Sequence, residues 1–326
     1  MKKKVLIFGG TGFIGSKLAN LFKVKGFDTT VADINTNYLI NNSFSGYVHR
    51  ILEYRYQTYL RDISIHRVDA KNKFEVYDII KSVNPNIIIN LAALPLANLS
   101  NTFSEETNSS IIGTSLNIIE SIRRINTNIR FCYFSSSMVY GNFIKSKVDE
   151  NHPTNPISVY GSVKLAGEVL IKGLCNKFAI NYTIIRPSAV YGPTDTNSRV
   201  IQNFFHNAFI EKPIIVKGIN TKLDFTHVDD LSMGVFMACT KSKGINNIFN
   251  ITRSEGKSLK TIINFIKENF ENTKIIIEGK DLTIPKRGAL NIDKARNALN
   301  YKPKISLEDG MTTYYEFLKN NIYDKK

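Results

Sequence analysis

The order of hydrophobic and polar positions in the first 185 residues alternates between short apolar runs and segments with helical spacing. Residues 5–8 form an apolar run that ends in glycine, residues 16–25 show helical spacing, and residues 28–32 are rich in β-branched side chains. Further strands are predicted at 63–68, 86–90, 129–134 and 182–185, and helices at 72–82, 106–124 and 158–177. This alternation predicts an α/β fold with a doubly wound parallel sheet.

After residue 185 the pattern is looser and predicts a second, smaller lobe. The elements expected there are helices near 199–211, 228–240 and 258–270, and strands near 213–217 and 248–251. Earlier in the chain, the polar, tyrosine-rich residues 35–61 predict a long and partly helical crossover. We therefore expect a first domain at 1–185 and mainly a C-terminal α/β lobe at 186–326, with residues 222–250 returning to the first domain.

Length and charge narrow the classes of protein to consider. The chain has 326 residues, enough for one large α/β unit or two interlocked ones, and a formal net charge of +15. Its lysines are scattered and no basic run carries interleaved aromatic residues, so the charge does not predict a nucleic-acid partner. A positive field is still compatible with a phosphate-bearing ligand.

The cysteines and the apolar segments predict a cytoplasmic protein that does not bind membranes. Cys132, Cys175 and Cys239 are isolated and lack CxxC or histidine-partner spacing, which argues against disulfides and against a metal site. The apolar run at 5–8 is too short to target the chain or to span a bilayer, and later apolar segments are interrupted.

The sequence GGTGFIG at 9–15 lies between the first strand and the first helix. Gly9 allows a tight turn, Gly12 lets the backbone approach a pyrophosphate, and Gly15 lets the helix pack close to the sheet. Asp33 ends the second strand, where its carboxylate can accept hydrogen bonds from ribose hydroxyls and repel a 2′-phosphate, so NAD is favoured over NADP. The residues expected to contact NAD are Gly9, Thr11, Gly12, Phe13, Ile14, Gly15, Asp33, Asp69, Ala70, Leu91, Ala92, Ala93 and Pro187.

Tyr160 and Lys164 lie four positions apart in a predicted helix and therefore on the same helix face. The Lys164 ammonium can favour the phenolate of Tyr160, and a phenolate can take a proton from an alcohol. A YxxxK sequence by itself is also compatible with a packed tyrosine and a solvated lysine. Its meaning depends on whether a redox cofactor is bound nearby.

Six motifs follow one another along the chain: GGTGFIG, NLAA, SSSMVYG, YGSVK, RPSAVYGP and DFTHVDD. In this order they resemble the extended short-chain dehydrogenase/reductases, specifically the NAD-dependent nucleotide-sugar epimerase/dehydratase family. The resemblance covers residues 4 to about 315. It implies a Rossmann NAD-binding domain at 1–185, a substrate-binding lobe after it, and a homodimer formed through the helices near 106–124 and 158–177.

The resemblance also implies roles for individual residues. Tyr160 would be the catalytic acid/base, Lys164 would hold the nicotinamide ribose and lower the pKa of Tyr160, and Ser136 would complete the triad. Dehydratase members carry an acidic pair directly after the triad hydroxyl, where this chain has Ser137 and Met138. Neither side chain can act as that acid or base, which disfavours a 4,6-dehydratase.

A second departure from the family pattern concerns the diphosphate of the substrate. Many members carry arginine where this chain has Leu223, which cannot make a bidentate phosphate contact. Lys222, Arg199 or Arg287 could substitute, or the substrate is held differently; Arg287 lies in a segment that resembles the diphosphate-binding region of the family. The substrate-binding candidates are Ser137, Met138, Arg199 and Arg287, whereas His206 and His227 are interpreted as structural.

The resemblance, together with these patterns, implies an NAD-dependent enzyme that epimerises a nucleoside-diphosphate sugar at C4, in carbohydrate metabolism such as polysaccharide biosynthesis. Tyr160 would remove a proton from the sugar hydroxyl while C4 gives up a hydride, and the hydride would return to the other face. One alternative is a nucleotide-sugar dehydrogenase, reductase or decarboxylase that uses the same oxidation. An alternative of another class is a non-catalytic, regulatory dinucleotide-binding protein. The nucleotide and the sugar are left open.

Overall fold

The computed structural model describes residues 2–35, 45–93, 100, 102–279 and 285–323. Its largest sheet has seven strands, all paired in parallel. From one edge to the other the strands are Asn247–Asn250, Tyr182–Arg186, Arg130–Phe134, Ile87–Asn90, Lys4–Phe8, Asp28–Asp33 and Ser64–Arg67. The chain starts in the middle, builds one half and then crosses to the other half, so the predicted doubly wound parallel sheet is confirmed.

Four further pairings lie outside the large sheet. Lys222–His227 pairs with Ala189–Tyr191 on one side and with Gly256–Ser258 on the other. Ile275–Glu278 pairs with Ile214–Lys217, and Ala289–Leu290 pairs with Lys147–Val148. In chain order all strands are numbered β1 (Lys4–Phe8), β2 (Asp28–Asp33), β3 (Ser64–Arg67), β4 (Ile87–Asn90), β5 (Arg130–Phe134), β6 (Lys147–Val148), β7 (Tyr182–Arg186), β8 (Ala189–Tyr191), β9 (Ile214–Lys217), β10 (Lys222–His227), β11 (Asn247–Asn250), β12 (Gly256–Ser258), β13 (Ile275–Glu278) and β14 (Ala289–Leu290).

The helices up to residue 270 follow the predicted positions with two informative differences, whereas the two C-terminal helices lie where no element was predicted. The helices are α1 (Phe13–Val24), α2 (Ser45–Tyr54), α3 (Lys73–Val83), α4 (Ser104–Asn108), α5 (Thr114–Ile125), α6 (Val159–Phe178), α7 (Val200–Phe209), α8 (Val228–Thr240), α9 (Leu259–Asn269), α10 (Asp293–Leu299) and α11 (Leu307–Leu318). The first helix begins at Phe13 rather than at residue 16, directly after Gly12. The predicted helix at 106–124 is divided, because the π-helical turn Ser109–Gly113 separates α4 from α5.

Apolar side chains cover both faces of the large sheet. On one face α1 and α8 contribute residues such as Leu18, Phe22 and Val235 to a continuous buried cluster. On the other face α3, α5 and α6 bury Ile79, Ile118, Ile122, Ile171 and Cys175. This arrangement of helix, sheet and helix is what nearly continuous apolar strands require, because both faces of a parallel sheet must be buried.

The second lobe has its own core, and one helix from early in the chain joins it. The core contains Phe205, Ile214, Leu223, Ile262, Met311 and Tyr314, together with Tyr47, Val48 and Ile51 of α2. Within 222–250, α8 and β11 pack in the first half of the molecule, whereas β10 belongs to the small sheet. The domain division at residue 185 stays a prediction, and part of 35–61, residues 36–44, lies outside the described residues.

Two findings concern the predictions on cysteines and membranes. Cys132, Cys175 and Cys239 are buried free thiols. Across the residues that the structure describes, no helix combines the length and the apolar character needed to cross a bilayer.

Candidate cofactor and active site

One cavity of about 600 Å³ lies at the carboxyl ends of the central strands and extends to the second lobe. It brings together all the residues that the sequence proposed for the cofactor, the triad and the substrate. They are Gly9, Thr11, Gly12, Phe13, Ile14, Gly15, Asp33, Asp69, Ala70, Leu91, Ala92, Ala93, Ser136, Ser137, Met138, Tyr160, Lys164, Pro187, Arg199 and Arg287. Lys222, the remaining cation considered for the diphosphate, is exposed and does not line this cavity. The function of each residue stays a prediction.

The glycine turn is shaped to receive a pyrophosphate. Gly9 has a φ of +74°, and a Cβ there would lie 2.9 Å from the Ala92 backbone nitrogen. A Cβ on Gly15 would lie 2.3 Å from the Gly9 carbonyl oxygen, so only glycine lets the helix approach the turn this closely. Gly12 precedes α1 without a capping side chain, which leaves the first N–H groups of the helix available to an anion. These features fit NAD.

Backbone hydrogen bonds hold the acidic residue at the end of β2. One Asp33 carboxylate oxygen accepts a bond from the Thr11 N–H at 2.9 Å, and the other accepts one from the Asn35 N–H at 2.9 Å. At the end of β4, the Asn90 side-chain oxygen accepts a bond from the Ala92 N–H at 3.1 Å and orients the segment after that strand. The Asp33 carboxylate therefore lies beside the glycine turn.

Ser136, Tyr160 and Lys164 come from two adjoining elements. Ser136 follows β5, and its hydroxyl accepts a hydrogen bond from the Met138 N–H at 3.2 Å. Tyr160 lies in the first turn of α6, which begins after Ser158, whose hydroxyl accepts from the Gly161 N–H at 3.1 Å. Lys164 is one turn further and is buried, with its ammonium donating to the Phe134 carbonyl oxygen at 2.6 Å.

Burial opposes the charged forms of both Tyr160 and Lys164, and the effect of Lys164 on the Tyr160 phenolate stays a prediction. Burial raises the pKa of Tyr160, and the groups that oppose this effect are the Arg199 charge and a hydrogen bond with Ser136. Burial also lowers the pKa of Lys164 to about 7, against a smaller opposite effect of Glu168. The Lys164 ammonium lies 5.6 Å from the centre of the Tyr160 ring. Arg199 is thus one cation whose charge favours the phenolate.

Two arginines of the second lobe bring positive charge to the cavity. Arg199 Nη1 lies 3.7 Å from Asp195 Oδ2, and this nitrogen is buried without a hydrogen-bond partner among the described residues. Arg287 Nε is likewise buried and without a partner in that part of the chain. Burial lowers the pKa of Arg287 to about 10, which still leaves it charged at neutral pH. Donors of this kind suit an anionic ligand.

The two histidines interpreted as structural lie outside the cavity lining. His206 packs in the second lobe, where its ring centre is 4.6 Å from that of Tyr47. His227 precedes α8, and its side chain accepts a hydrogen bond from the Asp229 N–H at 3.3 Å. These contacts agree with the structural interpretation.

The structure adds residues that the sequence did not single out. Arg55 and Tyr56, from the crossover, line the cavity, as do Thr196, Asn197 and Ser198 from the loop before α7. The polar, tyrosine-rich crossover carries no motif that marks Arg55. Its contact with Thr196 spans 141 residues and follows only from tertiary packing.

A doubly wound sheet, a glycine turn at its switch point and a Ser–Tyr–Lys set in the same cavity define a dinucleotide-dependent enzyme of the short-chain dehydrogenase/reductase class. The model of the NAD-dependent epimerase/dehydratase family matches residues 5–252, and the chain belongs to this family. The match extends beyond residue 185, the predicted end of the first domain.

Relatives and solved structures are similar along nearly the whole chain. A putative UDP-glucose 4-epimerase of Methanocaldococcus jannaschii is 28% identical, over 97% of this chain and 99% of that protein. UDP-glucuronate 4-epimerase of Thermodesulfobacterium geofontis is 25% identical, with 97% and 96% covered. UDP-glucuronic acid 4-epimerase from Bacillus cereus, solved with UDP-glucuronic acid and NAD, is 25% identical, with a TM-score of 0.86 and 97% and 99% covered.

The comparisons bear on four predictions from the sequence. The family, the Rossmann-type α/β fold and NAD as the cofactor are confirmed. The broader functional prediction, an NAD-dependent nucleotide-sugar epimerase, is confirmed at the level of the family and its similar proteins. The carbon that is inverted and the identity of the substrate are not fixed by these similarities.

Proposed function

We propose that the protein is a 4-epimerase that acts on a nucleoside-diphosphate sugar with NAD as the cofactor. The observation that carries this proposal is the single cavity, which joins the glycine turn, the Ser136–Tyr160–Lys164 set and two arginines of the second lobe. A non-catalytic dinucleotide-binding protein would not require these three groups to meet. The names of similar proteins, UDP-glucose and UDP-glucuronate 4-epimerases, support a UDP-sugar.

The cofactor would be held at the end of the cavity that the glycine turn and the large sheet form. The N-terminus of α1 would bind the pyrophosphate, Asp33 the adenosine ribose and Lys164 the nicotinamide ribose. When bound, NAD supplies the acceptor and donor of hydride that oxidation and reduction at C4 require. Binding near Lys164 would also give its ammonium an acceptor in addition to the Phe134 carbonyl.

Tyr160 would move the proton of the substrate hydroxyl. As a phenolate it accepts that proton when the C4 hydroxyl becomes a ketone, and as a phenol it returns the proton when the alcohol re-forms. Arg199 and Ser136 favour the phenolate against the effect of burial, and Ser136 can donate a hydrogen bond to the developing charge on the sugar oxygen. The keto-sugar presents its other face between the two halves of the reaction, which inverts C4.

Elimination of water is disfavoured because the described cavity has no acidic pair beside Ser136. The adjoining positions hold the Ser137 hydroxyl and the Met138 thioether, neither of which is an acid or base at neutral pH. The cavity carboxylates in the described residues are Asp33, Asp69 and Glu106. Of these, Asp33 and Asp69 accept bonds from backbone N–H groups, and Glu106 is ion-paired with Lys71 at 3.1 Å.

Arg199 and Arg287 would bind the diphosphate in place of the arginine that many family members have at the position of Leu223. Leu223 lines the cavity but offers only an apolar surface. Both arginines have buried nitrogens without hydrogen-bond partners in the described residues, and a phosphate oxygen would supply the missing acceptors.

Product analysis tests this proposal. The purified protein with NAD is incubated with UDP-, GDP-, CDP- and dTDP-sugars, and product stereochemistry is read by NMR while NADH is followed by absorbance. We expect the C4 epimer of one substrate without net NADH. Stoichiometric NADH would indicate a dehydrogenase or decarboxylase, and loss of one water would indicate a dehydratase; either result would contradict the proposal.

A cytoplasmic homodimer is part of the proposal. The dimer would form through the outer faces of the helical segments 104–125 and α6, where the apolar side chain of Val169 is 59% exposed. Light scattering should give twice the mass of the chain. Val169→Glu should shift the mass towards that of the monomer, and a wild-type monomer would contradict this part.

A further inference from the structure

Arg55 joins two loops that lie far apart in the sequence. It is 3% exposed, at the start of the π-helical turn Arg55–Tyr59. Its Nη1 donates to the Thr11 carbonyl oxygen at 3.2 Å, and its Nη2 donates to the Thr196 hydroxyl at 2.9 Å and to the Thr194 carbonyl oxygen. One guanidinium therefore bonds to the glycine turn and to the loop that precedes α7.

Both partners of Arg55 are connected to groups that bind ligands in the proposed function. The Thr11 N–H donates to the Asp33 carboxylate, so the Thr11 peptide unit lies between Arg55 and the cofactor. On the other side, Thr194 and Thr196 belong to the same loop as Arg199, whose side chain lines the cavity. A shift of either loop relative to the other would change the distance between cofactor and substrate sites.

The loop at 194–199 needs external support, because its backbone is strained. Thr194 has a φ of +73° and Ser198 a φ of +49°, both in the left-handed region that costs a non-glycine residue about 1–3 kcal/mol. The Asp195 carbonyl oxygen accepts bonds from the Tyr47 and Tyr314 hydroxyls at 3.4 and 3.5 Å. Asp195 is itself 1% exposed and ion-paired with Arg199. The loop is thus held from several sides in one conformation.

We propose that Arg55 is a positioning residue that fixes the 194–199 loop against the glycine turn and so places Arg199 for an anionic substrate. Burying a guanidinium is costly unless its donors are satisfied. Arg55 bonds both terminal nitrogens to acceptors of the two loops, whereas its Nε is buried without a partner among the described residues. Burial lowers the pKa of Arg55 to about 10, although the nearby charges of Asp195 and Asp33 act in the opposite direction. The inference rests on the proposed function, because it assigns Arg199 to the nucleotide diphosphate.

Thr196→Val tests the substrate side of this connection. It removes one acceptor from Arg55 and keeps the β-branched shape, so affinity of the NAD complex for UDP should fall about fivefold to tenfold. NAD affinity should stay within about twofold. Thr194→Val is the matched control, because it is the same change in the same loop and the Thr194 hydroxyl has no partner among the described residues.

Arg55→Lys tests the residue itself. Lysine keeps the charge but lacks the planar fork that reaches both loops, so UDP affinity should fall at least as much as in Thr196→Val. Wild-type affinity for UDP in either variant would overturn the inference. A loss of UDP affinity in Thr194→Val equal to that in Thr196→Val would also overturn it, because the effect would then be general loosening of the loop.

A double-mutant cycle separates positioning from direct contact. If Thr196 acts through Arg199, Thr196→Val should have almost no further effect on UDP affinity in an Arg199→Gln background. If the losses of UDP affinity in the two single variants added up in the double variant, Thr196 would contact the ligand independently of Arg199. That result would overturn the inference but not the proposed function. Failure of the wild-type NAD complex to bind any of UDP, GDP, CDP or dTDP would contradict the proposed function and the inference with it.

Discussion

The two ends of the cavity are built in different ways. At the cofactor end, the glycine turn, Asp33, Asp69 and the segment at 91–93 each lie at the carboxyl end of a strand of the large sheet or within a few residues of it. At the substrate end, Arg199 and Arg287 come from loops outside that sheet, and the loop of Arg199 is held by side-chain hydrogen bonds from Arg55, Tyr47 and Tyr314.

This difference separates backbone geometry from side-chain chemistry. The cofactor end depends on how closely peptide units can approach, so adding a few atoms there should displace the backbone. The substrate end depends on the placement of two charged groups, so removing a charge should lower affinity without changing the fold. Tyr160 lies where both ends meet and should affect turnover more than binding.

The largest effect is expected at this meeting point. Tyr160→Phe removes only the hydroxyl that would move the proton, so turnover should fall by about two to four orders of magnitude. NAD affinity, UDP affinity and thermal stability should be nearly unchanged, because the ring is kept. Near-normal turnover in the variant would remove Tyr160 from the mechanism.

A somewhat smaller effect is expected at the cofactor end. Gly15→Val places side-chain atoms against the Gly9 carbonyl oxygen, where even a Cβ would lie at 2.3 Å, so NAD affinity should fall by about 100-fold or more. Gly173→Ala is the control, because a Cβ there has no neighbour within 4 Å, and alanine should stabilise α6 by about 0.5–1 kcal/mol. Unchanged NAD affinity in Gly15→Val, measured by calorimetry, would disprove the role of the turn.

The sequence could predict the cofactor end because its determinants are local. A glycine turn after a strand and an acid at the end of the next strand are both short patterns, and parallel strands bring their carboxyl ends to one edge. Helix α8 and strand β11 were placed well for the same reason, because periodicity is a property of neighbouring residues.

The substrate end could be predicted only in part. Arg199 and Arg287 were among the candidates. The family resemblance favoured Arg287, but nothing in the sequence separated Arg199 from Lys222, since surface and cavity positions differ only in the folded chain. The hydrogen bonds of Arg55 to both loops and the packing of α2 in the second lobe depend on contacts across long sequence separations. Local propensity carries no information on these.

At the substrate end, loss of one charge should have an intermediate effect. Arg199→Gln and Arg287→Gln should each lower UDP affinity about 10-fold to 100-fold, the range for hydrogen bonds to a charged group, with NAD affinity nearly unchanged. Lys222→Gln is the control, because Lys222 is exposed and outside the cavity lining. If Lys222→Gln weakened UDP binding as much as the arginine variants, the assignment of the diphosphate site would be wrong.

The smallest effect is expected for the choice of cofactor. The Asp33 carboxylate is fixed by the Thr11 and Asn35 N–H groups, and its charge should disfavour a 2′-phosphate, so NAD should bind about tenfold tighter than NADP. Asp33→Asn should bring the affinities for NAD and NADP closer together. Arg55 lies near Asp33, but its terminal nitrogens are bonded to protein acceptors. Titrations that gave equal or stronger NADP binding to the wild-type protein would contradict this prediction.

The most direct test of the central claim follows the hydrogen on the inverted carbon. The wild-type enzyme with NAD is incubated in D₂O with the nucleotide sugar that it turns over, and the product is examined by ¹H NMR. Because a hydride leaves C4 and returns to it without exchange with solvent, the account predicts a C4 epimer that carries protium at C4 and no deuterium on the ring carbons. Deuterium at the inverted carbon would show that a proton, not a hydride, is transferred there, and would contradict the account.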